Sequence, residues 1–156
     1  MPDLAPAADA LKCDLAAEVL RSSGQLRLRV YGASMLPALW PGDILTIHRH
    51  HPTQLRPGDL VLAARNGGLA VHRLLAIHGP LVTTRGDALP RPDPPLPSEH
   101  LLGRVAWIQR GAACLTPRPG IPLPQRLLAL ALRHSDGLQS LLLRLHALRR
   151  RRWAEV

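Results

Sequence analysis

The sequence predicts an α+β protein that is mainly β, with one helix before the strands and helical structure after them. Three observations carry this expectation. Between residues 25 and 108, short apolar or alternating segments recur, separated by Pro-Gly-Asp, Asn-Gly and proline-rich punctuation. Residues 7–22 instead carry apolar side chains at helical spacing. Beyond a Pro/Gly stretch, leucines return at steps of three and four.

In chain order, Leu11, Leu15, Val19 and Leu20 give the first helix an apolar face, and Ser22-Ser23-Gly24 ends it. Leu26, Leu28 and Val30 alternate with Gln25, Arg27, Arg29 and Tyr31, the pattern of a strand with one buried face. Pro41-Gly42-Asp43 and Pro57-Gly58-Asp59 fit type II turns, and Asp43 and Asp59 read as turn residues. Apolar strands follow each turn, Ile44–Ile47 and Leu60–Ala64. Asn66-Gly67 then predicts a tight hairpin returning through Leu69–Ile77. Leu81–Thr84 and Leu101–Ile108 are further strands. Residues 88–97 hold five prolines around Asp93, so they form an extended loop. Thr116–Pro124 is linker-like. After it, Leu127, Ala131, His134, Leu138, Leu141, Leu145 and Leu148 form a helical stripe, which Leu128, Leu130, Leu132, Leu142 and Leu143 widen; it is broken by Ser135-Asp136-Gly137, where Asp136 is a candidate cap. Two helices and one kinked helix both satisfy this pattern. The expected organisation is an N-terminal helix over 1–24, a β-rich body over 25–113, a linker over 114–124 and a basic amphipathic tail over 125–156.

The 156 residues suit one domain plus an appendage, and an apolar content of 46% suffices for a core of Leu, Val, Ile and Ala. The net charge of +9 is uneven: residues 122–156 carry seven arginines against Asp136 and Glu155. Such a tail suits an anionic surface, and residues 125–153 are a candidate peripheral membrane contact. Packing of the same helices on the body or on a partner is the alternative; nucleic acid is not the expected partner. Cys13 and Cys114 lack CxxC spacing and read as buried or half-buried free thiols. His48, His50 and His51 have no nearby Cys or paired carboxylate, so a loop is expected there rather than a metal site. No cofactor or metal is called for. No secretory signal or membrane-spanning run is visible, which places the expected location in the cytoplasm or at a membrane periphery.

One constellation carries chemistry. Ser34 lies in the small-residue bend Gly32-Ala33-Ser34-Met35-Leu36-Pro37 after the first strand. His72 follows in Val71-His72-Arg73, then Asp87 in Thr84-Arg85-Gly86-Asp87, then Asp93. Serine, histidine and aspartate are the parts of a base-activated nucleophile. Two carboxylates compete to orient the imidazole, Asp93 and Asp87.

Ser34-Met35-x-Pro37, Gly42-Asp43, Gly58-Asp59, Val71-His72-Arg73 and Gly86-Asp87 together resemble the boxes of type I signal peptidases, in order from about Leu26 to about Val105. The resemblance is to the histidine-type archaeal and endoplasmic-reticulum branch. The single lysine, Lys12, precedes the serine, and His72 stands where the usual lysine base would. The resemblance implies a β-rich catalytic body over 25–113, Ser34 as nucleophile, His72 as base, Asp93 as orienter and Asp87 as supporting acid. It also implies a precursor or leader peptide as substrate, with small residues before the cut. LexA-type repressors resemble the same architecture but use lysine and carry a helix-turn-helix domain. A non-catalytic adaptor or anionic-surface binder built on the fold is the reading from another class.

Overall fold

The computed structural model describes residues 4–120, 122–133 and 135–154. Helix α1 (Leu4–Ser23) leads into strands β1 (Gln25–Arg29), β2 (Ile44–His48), β3 (Leu60–Arg65), β4 (Gly68–His78), β5 (Leu81–Arg85), β6 (Leu96–Pro97), β7 (Leu101–Arg110) and β8 (Ala113–Leu115). Helices α2 (Leu123–Arg133) and α3 (Asp136–Ala154) follow. The strands form one antiparallel sheet in the order β1-β2-β7-β3-β4-β5-β6, with β8 beside β7. Register shifts at Thr46/Ile47, Leu62/Ala63 and Leu74/Ala76 bend it, and the sheet curls into a half-barrel. The fold is therefore mainly β within an α+β frame.

The turns follow from their sequences. Asp43 N–H donates to Trp40 O and Asp59 N–H to Arg56 O, each 3.0 Å, closing the two Pro-Gly turns. Each aspartate also accepts the backbone N–H at the start of its own turn. Asn66 (φ 50°) and Gly67 (φ 76°) both occupy the left-handed region, as a two-residue hairpin between β3 and β4 requires.

Strand β3 explains the core. Its run Leu-Val-Leu-Ala-Ala is apolar on both faces, and both faces are covered. Leu60 and Leu62 join Leu20, Met35, Leu39, Leu45, Ile47, Val105 and Ile108, whereas Val61 and Ala63 join Leu55, Leu74, Val82, Leu96 and Leu101. A third cluster of Leu36, Ala88 and Leu132 joins the tail to the body.

Both helical segments bury one side of the broad apolar face that their sequences predict and leave the central stripe largely outside. On α1, Leu20 and Ala16 are buried, while Leu11 (58%), Leu15 (56%) and Val19 (39%) are exposed. Small side chains at 13, 16 and 17 let the helix lie close to the sheet, and Cys13 Sγ contacts Gly67 O. In the tail, Leu127, Leu141 and Leu145 face solvent. Leu128, Ala129, Leu132, Leu142 and Leu143 pack inward instead, with Leu138 alone of the predicted stripe beside them. His134 and the Leu148 side chain lie outside the described residues. The tail is two helices, and at the start of the second the Ser135 hydroxyl accepts from Leu138 N–H at 3.2 Å; the Asp136 side chain lies outside the described residues. Cys13 is half-buried, but Cys114 is exposed, against the expectation of a buried or half-buried thiol.

Candidate active site

Ser34 sits in the turn that leaves β1, ahead of β2. The backbone of that turn is fixed from outside: Ala88 N–H donates to Ser34 O at 2.9 Å. The approach depends on Gly86, where a β-carbon would lie 2.6 Å from the same Ser34 oxygen. Beneath the turn, Met35 and Leu36 are buried in separate clusters, which anchors the hydroxyl from below.

His72 lies in β4, opposite Val61. Ser34 Oγ is 3.1 Å from His72 Nε2, and His72 Nδ1 is 2.7 Å from Asp93 Oδ2. A carboxylate only accepts, so Nδ1 carries a proton, and in the neutral ring Nε2 then presents a lone pair to the serine hydroxyl. Asp93 is held in turn. Thr84 Oγ1 donates to its Oδ2 at 2.6 Å, and its own N–H donates to Thr84 O at 2.8 Å. Arg65 adds a hydrogen bond to Pro94 O at 2.6 Å, pinning the proline-rich loop. The His72 and Asp93 side chains are 13% and 12% exposed, dry enough to strengthen their bond yet open to a ligand.

Asp87 lies elsewhere in the network. It is 2% exposed, and its two oxygens take Arg73 Nε and Nη2 at 2.8 and 2.7 Å, a bidentate pair. Arg73 Nη1 reaches Gly58 O and Arg118 O, and Arg133 Nε donates to Asp87 O at 3.0 Å. Burial, and after it the nearby Arg85, lowers the Arg133 pKa from its usual value, with Asp87 opposing. Ser34, His72 and Asp93 thus come together, and Asp87 is engaged by the arginine that follows His72.

Thr84, Arg73 and Arg133 are members of this arrangement that sequence reasoning did not single out. Thr84 and Arg73 were visible only as strand residues inside the motifs. Arg133 carries no local signal at all, because its partner is 46 residues away. Among the basic loop histidines, His51 caps the short turn Pro52–Gln54 through Nδ1. No group of three His, Cys, Asp or Glu side chains converges among the described residues.

Ser34 and His72 open onto a cleft of about 730 Å³, floored by Leu28, Val30, Met35, Leu69 and Val71, with Lys12 and Arg29 at its margin. Its walls are two sheet edges. β1 is an outer strand, and β5 pairs β4 only from Arg73 onward, leaving Gly68–His72 without a strand on that side among the described residues.

No helix of the described residues is long and apolar enough to cross a membrane. No curated protein matches the chain. Residues 5–80 match the family model described as Peptidase S24-like, whose superfamily holds LexA and type I signal peptidases. The match takes in Ser34 and His72 and ends before Asp93. Over 76 of its 156 residues, then, the chain carries an S24-like peptidase pattern on a mainly β half-barrel, which supports a serine peptidase in general.

Proposed function

We propose that the protein is a serine endopeptidase of signal-peptidase type, in its histidine-dependent form, that removes a signal or leader segment from a precursor. The observation that carries this reading is the unbroken line from Ser34 Oγ through His72 to Asp93, opening on a cleft with two free strand edges. An extended peptide entering that cleft gains main-chain hydrogen bonds on both sides and lays alternate side chains on the apolar floor.

The chemistry follows from the geometry. Serine oxygen attacks the scissile carbonyl carbon while its proton passes to His72 Nε2. The imidazolium so formed lies against the Asp93 carboxylate. The oxyanion of the tetrahedral intermediate needs a donor beside the nucleophile, and Ser34 N–H makes no hydrogen bond among the described residues. Collapse of the intermediate breaks the C–N bond, and His72 returns the proton to the leaving amine. Water, activated by the same imidazole, then hydrolyses the acyl-serine. Lysine plays no part in this scheme.

A library of labelled precursor peptides, read by mass spectrometry with Ser34→Ala as control, tests the proposal. Discrete cuts after small residues, absent in the control, are expected. Equal cleavage by the Ser34→Ala protein would overturn it.

A further inference from the structure

We infer that the α2–α3 hairpin is a docking element for an anionic bilayer surface, seated on the catalytic loops by one face and on lipid headgroups by the other. The inward face is fully accounted for. Ala129 and Leu132 are buried, Leu128, Leu138, Leu142 and Leu143 pack against Leu36, Ala33, Trp40 and Ala88, and His146 Nε2 lies 3.1 Å from Pro41 O with its ring against Trp40.

Among the described residues nothing covers the outward face. Leu123 (75%), Leu127 (68%) and Leu130 (50%) are exposed at i, i+4 and i+7, on the side of α2 opposite Leu128 and Leu132. On α3, Leu141 (53%) and Leu145 (50%), one turn apart, are exposed as well. Scattered exposed leucines need no explanation, but five on two successive helices, three of them aligned on one face of α2, are more than scatter.

Charge selects the occupant. The segment 122–156 carries seven arginines, four of them consecutive at 149–152 beside Trp153, against two acidic residues. Leucines among arginines with a neighbouring tryptophan fit the boundary between headgroups and acyl chains, where arginine stems lie along apolar surface with their charges in the headgroup layer. A second copy fits less well, because pairing two such tails sets like charges together. Nucleic acid would use the arginines and leave the leucines in water. Because α2 and α3 also hold the Ser34 turn through Leu36 and Trp40, and the Asp87 turn through Arg133, bilayer docking fixes the height and orientation of the cleft above the membrane.

The test uses the full chain with vesicles of phosphatidylcholine alone or mixed equally with phosphatidylglycerol, read by co-sedimentation and light scattering. Binding to the anionic vesicles only is expected, weakened about tenfold or more when salt rises from about 0.05 M to about 0.5 M. Changing Leu127, Leu130, Leu141 and Leu145 together to Ser should abolish binding while circular dichroism and thermal midpoint stay as in the parent. A second variant with Arg149 to Arg152 all changed to Gln, which leaves the leucine patch intact, should weaken it about tenfold or more. Protein left in the supernatant at low salt overturns the inference. So does a dimer in solution that the leucine variant dissociates, since the occupant would then be a second copy.

Discussion

The Asp93 carboxylate offers the sharpest test of the site, because its geometry separates charge from orientation. Both donors, His72 Nδ1 and Thr84 Oγ1, converge on Oδ2, and Oδ1 has no partner among the described residues. In Asp93→Asn, the amide oxygen can take the Oδ2 position and the amide nitrogen the open one. The imidazole then keeps its tautomer and loses only the negative charge that steadies the imidazolium. Two unit charges about 4 Å apart at an effective dielectric constant of about 20 interact by about 4 kcal/mol, so kcat/KM should fall about 10²–10³-fold. Asp93→Ala removes the orienting bond as well, and the loss should reach about 10⁴-fold. The assay is kcat/KM on a cleaved precursor peptide, with thermal melts to show that each variant is folded. An Asp93→Ala protein within about tenfold of the parent, or a larger specific-activity loss in Asp87→Asn, would refute the reasoning and move the orienting role to Asp87.

Ser34→Ala should lower kcat by about 10⁴–10⁶-fold with an unchanged melting curve; activity within tenfold of the parent removes it as nucleophile. His72→Ala should abolish turnover and Lys12→Ala leave it nearly intact on uncharged peptides, measured side by side. Because only neutral imidazole accepts a proton, activity should be lost in acid and level off once the ring is neutral; a rate still climbing at about pH 9–10 would indicate a different base. Asp87→Asn leaves Arg73 buried without its counter-charge, a loss of about 3–5 kcal/mol, so the thermal midpoint should drop by roughly 10 °C in a calorimetric scan.

Local chemistry made the strands and turns readable. A Pro-Gly-Asp or Asn-Gly turn is decided within four residues, and those at 41–43, 57–59 and 66–67 form with the backbone their sequences call for. Helix faces were not readable in the same way. Leu11, Leu15 and Val19 make a more hydrophobic stripe than Ala16 and Cys13, yet close packing on the sheet favours the small side chains. In the tail the leucines outnumber the sites on the body, so spacing alone cannot say which of them turn inward. Ser34 and His72 stand out by motif, but Thr84 as a holder of Asp93 does not. Its role exists only because β5 and the proline-rich loop lie side by side.

The two aspartates divide their work because β4 places two polar residues in succession. Adjacent strand residues point to opposite faces, so His72 and Arg73 cannot share one carboxylate. The pairing of Arg73 with Arg85 ends β5 beside Arg73, and Gly86-Asp87 follows at once, so Asp87 reaches the guanidinium on its side. The carboxylate for His72 must then come from the other side of the strand, and Thr84, one residue before the end of β5, supplies the backbone oxygen and hydroxyl that bring Asp93 there. The prolines around Asp93 suit this task, since an extended segment lacking several N–H donors can cross the sheet edge without joining it. Asp87, meanwhile, faces the tail: through its carbonyl it holds Arg133, and through Ala88 the same turn holds both Ser34 O and Leu132. One short turn therefore joins the backbone of Ser34 to α2.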